Sequence, residues 1–307
     1  YLDAMRPGLC IATMLAAGVL QAQVFRAPAT GLPDTIPFTL SAANDLLVRA
    51  VLNGQDPLTL MFHTGVEGLS LTEVGREKAS SFRTSGSMDV GSWGGGAEVD
   101  AASDQTLTIG DRTWTALDVH VGRHSAVGSD GKFGHDLFAG QVVEVDFDRQ
   151  VLVVHDRMPD DVTGYQVLTI ERQGSSLLLK CVLTVAEDRM EQPVMLHTGY
   201  HGALILGTEA LEAHGLAGRL DTLGVEVLTD AQGNELRNLR TRIPEFQLGE
   251  ATFHDVPAST MDARSNFPMS VLGNEITRRF NWLLDLEQDV LYLRPNRNFD
   301  APWPAHE

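Results

Sequence analysis

The tripeptide His-Thr-Gly occurs twice, at His63-Thr64-Gly65 and His197-Thr198-Gly199, and each copy closes an apolar run. Upstream stand Leu58-Thr59-Leu60-Met61-Phe62 and Pro193-Val194-Met195-Leu196. Downstream stand Gly68-Leu69-Ser70-Leu71 and Gly202-Ala203-Leu204-Ile205-Leu206. Both copies read as a strand, a sharp polar turn and a second strand. Two copies of one such unit restrict the chain to an architecture of two similar halves built around two similar turns.

The repeat extends well past the tripeptides. From Gly134 the chain reads GHDLFAGQVVEVDFDRQVLVV and from Gly273 it reads GNEITRRFNWLLDLEQDVLYL; the two align without a gap, with Asp146 and Asp285 each 12 residues after their glycine. The later glycine follows its histidine by 71 residues in the first copy and 76 in the second, too long for a solenoid repeat and suited to a duplicated lobe. Hairpins are expected around Asp148-Arg149-Gln150 and Glu287-Gln288-Asp289, and short helices over residues 73–80 and 208–214. Many short strands with turn signals imply an all-β fold closed on itself. Pro, Asp and Gly gather at residues 159–164 and mark a boundary between the halves.

These features resemble the retropepsin-like and pepsin-like aspartic peptidases, and most closely bacterial members with both lobes in one chain. The matched features are the two strand-tripeptide-strand loops and the later strands Lys132-Phe133-Gly134 and Val271-Leu272-Gly273. The resemblance implies two homologous β-barrel lobes, over residues 23–160 and 161–307, with a cleft between them. In that family the tripeptide is Asp-Thr-Gly, so His63 and His197 stand at the catalytic-aspartate positions. Thr64 and Thr198 would cross-brace the loops, and Gly65 and Gly199 would permit close backbone approach. Gly91-Ser92-Trp93-Gly94-Gly95-Gly96 falls where the family carries a flap, which makes Trp93 an aromatic lid. Glu67 and His201, four residues after each histidine, would line the cleft as substrate-binding residues.

The change from carboxylate to imidazole bears on chemistry. Two close carboxylates share a proton, one acting as general base and the other as acid. A neutral imidazole has one donor and one acceptor nitrogen, and the pair loses the negative charge. Three readings follow. In the first, the cleft binds an extended peptide or unfolded polypeptide and no longer cleaves it, a pseudo-peptidase. In the second, His63 and His197 act directly on water as an unconventional hydrolase. In the third, they hold zinc or another transition metal, with Glu67 and His201 completing a set. His135 reads as a hydrogen-bonded structural residue. His120, His124, His155, His214 and His254 show no metal spacing and read as surface residues.

Composition narrows the partners. A net charge of -18 over 307 residues excludes a phosphate-neutralising stripe and hence nucleic acid, and disfavours anionic membranes. Arg6, an apolar stretch over residues 9–20 and Ala22 resemble a secretory signal with cleavage after Ala22, too short for a membrane span. Of the two cysteines Cys10 lies in that segment, which leaves Cys181 without an internal partner. Export without disulfides points to a bacterial periplasm.

Overall fold

The computed structural model describes residues 34–263, 265 and 267–304. The signal segment, residues 1–22, and Cys10 lie outside the described residues. The chain is all-β. Ten strands precede residue 156: β1 (Asp34–Leu40), β2 (Leu46–Leu52), β3 (Asp56–His63), β4 (Leu69–Leu71), β5 (Gly86–Ser92), β6 (Gly95–Ile109), β7 (Arg112–Val121), β8 (Gly131–Gly134), β9 (Val142–Asp146) and β10 (Val151–His155). Ten more follow: β11 (Gln166–Gln173), β12 (Ser176–Val185), β13 (Asp188–Leu196), β14 (Leu204–Leu206), β15 (Gly224–Thr229), β16 (Glu235–Leu248), β17 (Ala251–Thr260), β18 (Val271–Leu272), β19 (Phe280–Asp285) and β20 (Val290–Pro295). Two short helices, α1 (Glu73–Lys78) and α2 (Thr208–Ala213), lie within the spans expected of them. No described helix is long and apolar enough to cross a membrane.

The halves repeat one pairing scheme. β3 runs parallel to β8, β8 antiparallel to β4, and β4 parallel to β7. In the second half β13, β18, β14 and β17 pair with the same polarities. Each His-Thr-Gly thus follows a strand held against the later glycine strand, with Phe62 opposite Phe133 and Leu196 opposite Leu272. All four of these side chains are at most 1% exposed. Both halves draw on the same buried apolar cluster. Within it Phe62 meets Phe133 at 5.5 Å and Trp282 at 6.5 Å between ring centroids.

A six-stranded antiparallel layer, in the order β11–β20–β19–β9–β10–β1, joins the halves. Its central pair comes from the two repeats, with Val145 opposite Trp282 and Val142 opposite Asp285. The aligned aspartates close the hairpins on either side. Asp146 accepts from the Arg149 amide, and Asp285 accepts from the Glu287 and Gln288 amides. Each turn then needs a left-handed residue, Gln150 at φ 55° and Asp289 at φ 51°. The repeated spacing therefore encodes a turn lock.

Candidate functional site

The two tripeptides meet where the halves join. Thr64 Oγ1 donates to the Leu196 carbonyl at 2.8 Å and accepts from the Thr198 amide at 3.0 Å. Thr198 Oγ1 donates to the Phe62 carbonyl at 2.9 Å and accepts from the Thr64 amide at 3.0 Å. Both threonines are fully buried, so each hydroxyl uses its donor and an acceptor position across the junction. Asn274, which opens the short helix after β18, adds support by donating from Nδ2 to the Thr198 carbonyl at 2.8 Å. At the matching place in the first half stands His135, buried beside Thr64 and hydrogen-bonded to its backbone.

This brace brings the His63 and His197 rings together edge to face, with centroids 4.5 Å apart and planes at 71°. Each ring lies over the opposite loop's glycine. A methyl on Gly199 would stand 2.1 Å from His63 Nε2, and one on Gly65 would stand 2.5 Å from His197 Cδ2. Glycine is required here for close approach, because the partner ring fills the space of its Cβ. His63 Nδ1 accepts the Gly65 amide at 2.9 Å, which places the proton of the neutral ring on Nε2. His197 Nδ1 is buried with no hydrogen-bond partner among the described residues.

Both rings are held neutral. Burial lowers His63 well below its ordinary pKa, with the neighbouring His197, Lys132 and His135 adding to the effect. Burial, and then Lys132, lowers His197 to about 3. A ring whose conjugate acid is that strong is a poor general base near neutral pH.

The rings form part of the floor of a cavity of about 530 Å³, with Met61, Met195, Lys132 and Tyr200 also in its wall. Trp93, at the tip of the β5–β6 hairpin, covers it. Its ring lies 5.0 Å from that of His197 and stacks on Phe267 at 5.3 Å. The tip is latched to the second half: the Gly94 amide donates to Asp230 Oδ2 at 2.8 Å, and Ser265 Oγ donates to the Trp93 carbonyl at 3.1 Å. Burial pushes Asp230 up, but donors from Asn234 and Gly94 hold it below the ordinary carboxylate range.

His201 is exposed yet lines the cavity, whereas Glu67 is exposed and does not. The Glu67 backbone packs against Gly134, and its charge acts on Asp136 behind the loop. The four-ligand metal set fails. Among the described residues no three His, Cys, Asp or Glu side chains group to hold a metal ion, and His63 Nδ1 already accepts an amide. The surface reading fails for two further histidines and holds for His124, which is exposed at the cavity mouth. His120 and His155 are half-buried, the latter bonded to Glu144 at 2.8 Å.

Sequence reasoning treated Lys132 only as part of a glycine strand. It is 8% exposed, its ammonium group forms no hydrogen bond or ion pair among the described residues, and it lines the cavity. The signal was available in the repeat, because the aligned residue Val271 is the apolar one a buried strand calls for. The latch was equally unmarked: Asp230 sits in an ordinary turn sequence.

Comparison with protein-family models and with curated proteins finds no match to this chain.

Proposed function

We propose that this is a bilobal aspartic-peptidase-like protein whose interlobe cleft binds an extended polypeptide without cleaving it by the two-aspartate mechanism. The observation that carries the reading is the intact reciprocal Thr64–Thr198 brace beneath two imidazoles at the acid-base positions. The scaffold that would orient two carboxylates is present, and the carboxylates are not. The matched pairing scheme of the two halves supports the lobes, and the Trp93-covered cavity between the loops supports the cleft. Export to the periplasm belongs to the same proposal and rests on the sequence of residues 1–22.

The imidazole pair is a weak candidate for activating water directly. Productive general bases sit near the working pH, and His197 is held at about 3. The test is a broad peptide-cleavage screen of the parent, of His63→Asp/His197→Asp, and of each single variant. The parent is expected to bind extended peptides and cleave none. The double variant regains acid-dependent cleavage, while a single variant stays far behind because the mechanism needs one acid and one base. Cleavage by the parent that disappears on either His→Ala change would overturn the reading in favour of a hydrolase.

A further inference from the structure

One row of side chains breaks the symmetry between the halves. In the second half, register aligns Met195, Val271, Ile205 and Ser259 across β13, β18, β14 and β17. In the first half the same row across β3, β8, β4 and β7 reads Met61, Lys132, Ser70 and His120. Residues directly opposite on neighbouring strands share a face of the sheet, and Met61 and Lys132 both line the cavity. A buried apolar position has thus become an ammonium group beside the two imidazoles. The chain has only three lysines, and the other two are ordinary: Lys78 pairs with Asp130 at 2.6 Å, and Lys180 is exposed.

Buried charges are normally paired, and Lys132 is not. The groups facing it are His63, His197 and His120, all kept uncharged by burial, and Asp230, whose carboxylate is occupied by the Gly94, Gln232 and Asn234 amides. Asp230 attracts the ammonium through space without contacting it. In a catalytic-aspartate cleft a lysine here would find carboxylates on the protein. Here the missing counter-charge has to arrive with the ligand.

We infer that Lys132 is a carboxylate-binding point in the cleft, so that the polypeptide it takes presents an acidic side chain or its C-terminal carboxylate beside the His63–His197 pair. This rests on the cleft reading above only in assigning the carboxylate to a polypeptide. The contact is a charge-assisted hydrogen bond from the Nζ of a lysine that is itself buried. Free Lys132 is pushed down to about 8 by burial, with Asp230 opposing, and a bound carboxylate returns it toward the ordinary lysine value.

The test uses the chain labelled with 13C at lysine Cε, with the Lys132 signal assigned by its loss in Lys132→Met. Probes are blocked hexapeptide pools carrying Glu or Gln at one fixed position and neutral residues elsewhere, together with sodium acetate. The Glu pools and acetate are expected to raise the Lys132 titration midpoint, and the Gln pools to leave it in place. Lys132→Met should weaken Glu-pool binding about tenfold or more while changing Gln-pool binding by less than about threefold. If both pools bind equally and Lys132 does not move, the carboxylate assignment is overturned and the peptide cleft stands. If acetate moves Lys132 but neither pool binds, the carboxylate site stands and the polypeptide reading fails. If neither peptide nor acetate moves it, the carboxylate site is overturned.

Discussion

Acidification from neutral pH should destabilise this protein, and the buried histidines give the effect its sign. In the unfolded chain a histidine titrates near 6.5, whereas burial lowers His197 to about 3 and His135 to about 4. The sign follows from linkage: between the two values the unfolded state binds the extra proton, so stability falls as pH falls from about 6.5. At pH 5 the gap to the unfolded midpoint is about 1.5 units, or roughly 2 kcal/mol for each ring at 1.36 kcal/mol per unit. His197 and His135, 6% and 2% exposed, together remove roughly 4 kcal/mol, a large part of an ordinary domain's 5–15 kcal/mol. Burial also raises Asp45 and Asp136, and those groups work in the opposite direction at lower pH. The comparison is therefore made between parent and His197→Gln at matched pH. Urea unfolding at pH 7.5, 6.5, 5.5 and 5.0, followed by near-UV circular dichroism, should show the parent losing stability throughout. The variant should lose about 2 kcal/mol less by pH 5. A flat parent profile over this range, or identical slopes in the two proteins, would refute the assignment of His197 as a buried neutral ring.

Thr64→Val keeps the shape of the brace but strands the Leu196 carbonyl and the Thr198 amide, which should cost about 2–4 kcal/mol in urea unfolding. Gly199→Ala drives a methyl into the His63 ring and should destabilise by about 1–3 kcal/mol, with a shifted His63 imidazole signal in NMR. Asp230→Ala removes the acceptor for the Gly94 amide and should speed exchange of that amide while leaving the core amides protected. Lys132→Met should be stabilising at pH 7, because a lysine moved from 10.5 to about 8 costs about 3 kcal/mol while charged. That cost is fully present below about pH 8 and relieved as pH rises toward 10.5, so only the parent should gain stability across that interval.

The parts of this fold that were legible in the sequence are those fixed by local chemistry repeated twice. The glycine after each threonine, the aspartate 12 residues after each later glycine and the apolar runs between them each answer to a single local need: close approach, a turn lock or a buried face. What was not legible depends on which way a side chain points after the halves close. Glu67 and His201 stand at the same offset from their histidines, yet only His201 lines the cavity. Asp230 became the acceptor for a hairpin tip 136 residues earlier, a partnership that no local pattern announces. His120 reads as a surface residue because spacing says nothing about a strand row that turns its side chain inward.

Lys132 belongs to both classes, and it bears most directly on function. The repeat exposes it as an anomaly, since Val271 holds the equivalent place, but only its burial beside neutral imidazoles gives the anomaly a meaning. Two carboxylates at the tripeptides would make this wall of the cleft negative, and a lysine there would neutralise them. With His63 and His197 uncharged, the same lysine faces neutral rings, and Asp230 attracts it only through space. On the proposed reading the imidazoles and the lysine act together: the tripeptides carry no carboxylate pair, and Lys132 supplies a charge that a ligand carboxylate can complete. Such a cleft would gain little from one aspartate placed at a tripeptide, because that carboxylate would first pair with Lys132 instead of activating water. On that argument Lys132→Met should be added to the His63→Asp/His197→Asp background. Cleavage should rise further in the triple variant if the lysine competes for the restored pair. It should stay unchanged if Lys132 lies out of their reach, and that result would break the link drawn here between the two features.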